Sequence, residues 1–267
     1  MKPCDICLEK VCKGPNGPGT CNCEECSVKD TCPRKLHATV RITLKCTQSC
    51  GHCCYECSPK MDTHMTIKMA KKVSAFLKNN EVQMVNLMGG EIFCNPHWKK
   101  ILDLIIPSVP LVRIVSNGDW IEGCPEFAEY LTKFKNCYVS ISKDEWHNMK
   151  NVDKALKVLK ENNILFNTPK HEEKEENLVP VGRAELSGFG FYGTFGCYCH
   201  NPEKQYSFLI DEKGDIFKCG FGIWNYDSID TYVDGGFTTR FKEFNKVFYG
   251  VFIPSCSSCI RSCNNFK

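Results

Sequence analysis

Between residues 38 and 44 the chain reads ATVRITL, where Val40, Ile42 and Leu44 alternate with polar neighbours at the two-residue period of a half-buried strand. In TIKMAKKVSAFLKNN the apolar positions Ile67, Ala70, Val73, Phe76 and Leu77 recur instead at helical spacing. VQMVNLM predicts the next strand, and Trp98, Ile101, Leu102, Ile105 and Ile106 mark one face of a second helix. The alternation continues through LVRIV, PEFAEYLTKF, CYVSIS, NVDKALKVLKENN and ILF. Such a βαβα series predicts an α/β fold on a parallel sheet, open or closed into a full or partial barrel.

Both ends depart from this pattern. Residues 1–36 hold seven cysteines (Cys4, Cys7, Cys12, Cys21, Cys23, Cys26 and Cys32), a GPNGPG run and few large apolar side chains. That stretch cannot build an apolar core, so its order must come from metal or from packing on the rest of the chain. Beyond Gly188, YSFLI and DIFKC predict a hairpin turning at Glu212 to Gly214, and the tail SCSSCIRSC returns to cysteine pairs. Three zones follow: a Cys-rich extension at 1–36, an α/β core at 37–187 and a small Cys-rich module at 188–267. HEEKEEN, 171–177, within the core zone, reads as a solvated charged connection.

Composition then narrows the chemistry. Twenty-one cysteines in 267 residues suggest a disulfide scaffold or a metal protein. The number is odd, and MKPCDICLEKVCKG contains no apolar secretory run. The most apolar stretch, ILDLIIPSVPLV, is interrupted by two prolines and is too short for a membrane span. A soluble cytoplasmic protein is therefore expected, with no membrane partner, and there reduced cysteines serve as zinc or iron-sulfur ligands. The formal charge of +3 argues neither for nor against nucleic acid.

In a parallel βα architecture the loops at the carboxyl ends of the strands converge on one rim. Here those loops carry Cys46, Cys50 and Cys53 after the first strand, Gly89, Gly90 and Glu91 after the second, and Ser116, Asn117 and Gly118 after the third. Three thiolates at Cys-x3-Cys-x2-Cys spacing leave one position of a metal centre open, unless Cys54 or Cys57 completes a zinc site. A Gly-Gly turn admits a close ligand, and the neighbouring Glu91 carboxylate suits an ammonium group.

Cys46-x3-Cys50-x2-Cys53 followed by MGGE at 88–91, SNG at 116–118 and VSIS at 139–142 resembles the radical S-adenosylmethionine (SAM) superfamily over about residues 38–187. The resemblance implies a partial (β/α)6 TIM-like barrel. It implies that Cys46, Cys50 and Cys53 hold a [4Fe-4S] cluster whose fourth iron binds the amino and carboxylate groups of SAM. By the same match Gly89, Gly90 and Glu91 receive the methionine amino group, Asn117, Ser140 and Ser142 contact the carboxylate or ribose, and His52 lies near the adenine in a position that the family more often fills with an aromatic or apolar residue.

VPVGRA at 179–184 resembles an element on a late barrel strand of SAM enzymes that carry an auxiliary cluster domain. Cys199, then Gly214 and Cys219, then Cys256-x2-Cys259 resemble the twitch form of the SPASM module, which implies a second [4Fe-4S] cluster on Cys199, Cys219, Cys256 and Cys259, with Cys197 and Cys263 as substitutes and zinc as the structural alternative. GFGFYG, 188–193, has the letters of a dinucleotide loop but lacks the flanking strand and helix, so it reads as a linker. His147, on the rim after the fourth strand beside Lys143, Asp144 and Glu145, is the candidate proton-exchanging group.

The implied function is reductive cleavage of SAM to a 5'-deoxyadenosyl radical and abstraction of a hydrogen atom from a small-molecule or nucleoside substrate, giving an oxidation or rearrangement. Flavodoxin or ferredoxin would donate the electron. The lean towards a small substrate comes from the compact length left after residues 1–36 and from the lack of a winged helix of the peptide-recognition type. The alternatives are a radical SAM maturase of a ribosomally made peptide and a non-catalytic zinc or iron-sulfur protein that binds nucleic acid.

Overall fold

The computed structural model describes residues 36–168, 182–186, 206–218 and 225–241. The expectations for residues 1–35 and for Cys199, Cys219, Cys256 and Cys259 fall outside these segments. One mixed sheet runs in the order β5-β4-β3-β2-β1-β6-β7-β8. Strands β1 (Leu36–Arg41), β2 (Met84–Met88), β3 (Leu111–Ser116), β4 (Cys137–Ile141), β5 (Phe166–Asn167) and β6 (Tyr206–Ile210) are mutually parallel. Strands β7 (Asp215–Phe217) and β8 (Asn225–Ser228) continue it antiparallel. Among the described residues the sheet does not close on itself.

The helices lie where the sequence period places them. Helix α1 (Ile67–Asn79) starts at Thr66, whose side chain accepts the N–H of Met69, and it buries Ala70, Val73, Phe76 and Leu77. Helix α2 (Trp98–Ile105) buries Trp98, Ile101, Leu102 and Ile105. The short helices α3 (Trp120–Gly123) and α4 (Phe127–Leu131) and the longer α5 (Val152–Glu161) complete the layer. All pack on one face of the sheet, against Val40, Val85, Leu87, Val112, Ile114, Val139 and Ile141. The alternate residues Met84, Leu111 and Tyr138 form a separate cluster on the opposite face.

Two expectations change. The late barrel strand expected at 179–184 is not a strand where it is described: Gly182 has φ +61° and Arg183–Leu186 is a single helical turn, α6. The YSFLI hairpin, expected in a separate module, is joined to the core sheet, because β6 adds in parallel to the free edge of β1 with Ala38 opposite Phe208. The reason is apolar: Phe208 and Ile210 are fully buried and belong to the main core. The hairpin turn itself is as expected, with Gly214 at φ +90° between β6 and β7.

Candidate active site

The carboxyl end of β1 leads into a long loop, 42–65, stitched to its neighbours by backbone hydrogen bonds. Leu44 N–H donates to Thr63 C=O and Cys46 N–H to Ser58 C=O, so the segment folds back on itself and presents Cys46, Cys50, Cys53, Cys54 and Cys57 together. The Gly-Gly turn after β2 locks against it: Gly90 N–H donates to Thr43 C=O at 2.9 Å and Glu91 N–H to Lys45 C=O at 2.9 Å. A Cβ on Gly90 would lie 2.3 Å from the Lys45 carbonyl oxygen and 2.7 Å from the Cys46 Cβ, while one on Gly89 would lie 2.8 Å from the Thr43 methyl. The close neighbour that excludes a side chain here is the chain's own cysteine loop.

Glu91 has no exposed surface. Its carboxylate accepts the Ile92 N–H (3.1 Å), the Ser116 hydroxyl (3.0 Å) and the Asn117 N–H (2.8 Å), and so ties the β2 loop to the β3 loop. Burial pushes its acid up to about 7 against the pull of these donors. Through these three donors Glu91 acts as a brace between the two loops. Asn117 continues the brace: its amide donates to Thr47 Oγ1 at 3.0 Å and approaches Cys46 Sγ at 3.8 Å.

Other anchors were not apparent from the sequence. Gln48 accepts the Asn148 N–H (2.9 Å), donates to Asp119 (2.9 Å) and meets the Cys50 thiol (3.4 Å), which links the cysteine loop to the loop after β4. Asp119 also accepts Thr47 Oγ1 (2.7 Å) and the Asn151 amide (2.9 Å). Arg183 donates from Nη1 to Cys50 C=O and from Nη2 to Cys57 C=O, both at 2.7 Å, and its N–H reaches Cys53 C=O at 3.0 Å. Gly182 fits beneath because a Cβ there would lie 2.4 Å from the Cys54 carbonyl oxygen. Gly182 and Arg183 form a clamp on the cysteine loop; capping carbonyls are invisible in sequence, because they belong to no residue type.

The eight described cysteines, Cys46, Cys50, Cys53, Cys54, Cys57, Cys94, Cys124 and Cys137, are all free thiols. Burial pushes Cys46 up to about 12 and Cys50 up to about 11. Cys53 is drawn down to about 6 by a hydrogen bond from the Cys57 thiol, and Cys57 is pushed up by the same contact. Sulfurs that are shielded from water and repel one another as thiolates gain most when a cation neutralises them together. The donor set therefore suits an iron-sulfur centre.

Farther along the rim, His147 Nδ1 lies 2.6 Å from Asp144 Oδ1, and the His52 and His147 rings meet edge to face at 4.8 Å between centroids. The ligand atoms of His52, Asp144 and His147 lie within 4.8 Å of one another. Burial alone would raise the Asp144 acid, but the hydrogen bond and positive character of His147 and His52 hold it below the usual carboxylate range. Ser140 is buried on the face opposite the helices, and Ser142 N–H donates to Ser116 C=O at 2.9 Å.

Residues 40–166 match the family model of the radical SAM superfamily. The chain carries a radical SAM domain. The family uses a [4Fe-4S] cluster and SAM, and the rim just described is where this domain gathers its cysteine loop, Gly-Gly turn and SNG loop. Two relatives from Bacillus subtilis (strain 168) share sequence with it. The antilisterial bacteriocin subtilosin biosynthesis protein AlbA is 34% identical over 42% of this chain, and the putative peptide biosynthesis protein YydG is 29% identical over 41%. The matched stretch spans 25% of AlbA and 36% of YydG. Among solved structures the fold is similar to BtrN in complex with AdoMet and 2-DOIA (TM-score 0.54, 13% identity, 84% of this chain and 92% of BtrN). It is also similar to native anSMEcpe with bound AdoMet (TM-score 0.52, 15% identity, 83% and 88%) and to Streptococcus suis SuiB (TM-score 0.52, 14% identity, 79% and 68%). At these identities the structures support the radical SAM fold alone. Among the described residues no helix is long and apolar enough to cross a membrane.

Proposed function

We propose that this radical SAM enzyme modifies a peptide, with its SAM-binding [4Fe-4S] cluster on Cys46, Cys50 and Cys53. The observation that carries the reading is that both sequence relatives are named for bacteriocin or peptide biosynthesis. It supports this reading over the small-molecule or nucleoside substrate expected from the compact length and the lack of a winged helix. The bound cluster and SAM supply one-electron chemistry that no side chain can provide. The chain's own part is to hold the cysteine loop rigid through Glu91, Asn117, Gln48 and Arg183, and to position the substrate carbon on the rim.

His147 is the group proposed to move a proton. Asp144, whose acid is held below the usual carboxylate range, orients the imidazole through the 2.6 Å contact to Nδ1. Cys199, Cys219, Cys256 and Cys259 are proposed to hold an auxiliary cluster, a reading supported by their spacing and by the Gly214 hairpin that leads to Cys219. The anaerobically reconstituted enzyme, given SAM, a reductant and short peptides encoded beside its gene, should produce a peptide mass change that requires both SAM and reductant. SAM cleavage without any peptide change, but with turnover of a small alcohol or nucleoside, would return the substrate to the class expected from the sequence.

A further inference from the structure

The face of the sheet opposite the helices carries polar groups that the proposed chemistry does not use. Strand register puts Asn86 on β2 directly beside Arg113 on β3, with Tyr138 next on β4, and Asn167 on β5 beside Ser140. One level down Met84 and Leu111, clustered with Tyr138, make an apolar floor. Arg113 Nε, Asn86 Oδ1 and both amide atoms of Asn167 are shut away from water, and among the described residues none has a hydrogen-bond partner. Among the described residues Arg113 makes no ion pair.

A guanidinium nitrogen and carboxamide atoms that are shut off from water and left without partners weaken a fold. A purely structural sheet face would be better filled by apolar side chains, as Met84 and Leu111 fill it one level down. These groups are therefore complementary to something that enters from the rim. Arg113 calls for an anion of planar, forked shape, Asn86 Oδ1 for an N–H donor, and Asn167 for a group that both donates and accepts, as a peptide unit does.

We infer that Arg113, Asn86 and Asn167 form a substrate pocket that recognises a carboxylate next to a peptide bond, below the cysteine loop. The inference rests on the peptide reading and narrows it to peptides whose modified region carries an acidic side chain or a free C-terminus. In the pocket the guanidinium takes both carboxylate oxygens, the neighbouring Asn86 carboxamide takes up the adjoining backbone N–H, and Asn167, two strands from Arg113, meets the next part of the peptide.

Saturation-transfer NMR on the anaerobically reconstituted full chain tests this with three probes: N-acetyl-glutamate N-methylamide, N-acetyl-alanine with a free carboxylate, and N-acetyl-glutamine N-methylamide. One of the two carboxylates should bind saturably below roughly 20 mM and at least about tenfold tighter than the glutamine probe. Which carboxylate wins separates a side chain from a C-terminus. Arg113→Gln with unchanged iron content should erase the preference, and Arg113→Lys, which keeps the charge but not the fork, should retain only part of it. Equal binding of all three probes, no binding by any, or a preference that survives Arg113→Gln overturns the pocket. The peptide reading would then still stand or fall on its own mass-change assay.

Discussion

At the scale of single residues the site is held by atoms whose value lies in contacts. Gly90 was legible as a motif glycine, but the reason that excludes a side chain is the Lys45 carbonyl oxygen 2.3 Å from where a Cβ would sit. Gly90→Ala should therefore displace the cysteine loop, lowering iron per chain after reconstitution by more than half and stability by roughly 1–3 kcal/mol; normal iron content would show that the loop can give way. Glu91 supplies a pH signature. Its acid is raised to about 7, so between the ordinary carboxylate range and that value the folded protein binds more protons than the unfolded chain. Stability contributed by this group is then present at low pH and lost as pH rises. Relative to Glu91→Gln, which does not titrate, the wild type should lose about 2 kcal/mol between roughly pH 5.5 and 7.5 in urea unfolding, from the 1.36 kcal/mol per unit of proton linkage. Parallel curves for the two proteins would mean that Glu91 is ionised throughout.

Among the elements, periodicity gave α1, α2 and α5 and strands β1 to β4 closely, because each buries one face in the main core at its own repeat. It failed where tertiary contacts decide. VPVGRA reads as extended, yet Gly182 and Arg183 turn into α6 to cap three carbonyls of the cysteine loop. YSFLI alternates like any hairpin strand, and nothing local says that it will pair with β1, 165 or more residues earlier in the chain. The clamp predicts a specific defect. Arg183→Ala removes two charge-assisted hydrogen bonds to Cys50 and Cys57 carbonyls, each worth about 1.5–3 kcal/mol. The reconstituted cluster should be more labile, with chelator-driven iron loss faster by roughly tenfold or more, and its EPR signal should broaden. An unchanged spectrum and rate of iron loss would reduce α6 to packing.

For the whole molecule, the described sheet is apolar on its helix-covered face and carries Asn86, Arg113, Ser140 and Asn167 on the other. The described residues place the rim and its three-cysteine loop; the spacing of Cys199, Cys219, Cys256 and Cys259 supplies the proposal for the rest. Mössbauer spectra of the Cys46/Cys50/Cys53 triple alanine variant should retain a [4Fe-4S] signal, and further mutation of Cys219 and Cys256 should remove it. Zinc without C-terminal iron would instead leave the module a structural one.

The account turns on one reaction at one loop. With dithionite and SAM under anaerobic conditions, the reconstituted wild type should form 5'-deoxyadenosine, and single Cys46→Ala, Cys50→Ala and Cys53→Ala variants should form none while keeping iron elsewhere. Product formation at the wild-type rate by any of these variants, or its absence from a wild type loaded with iron and sulfide, would contradict the assignment.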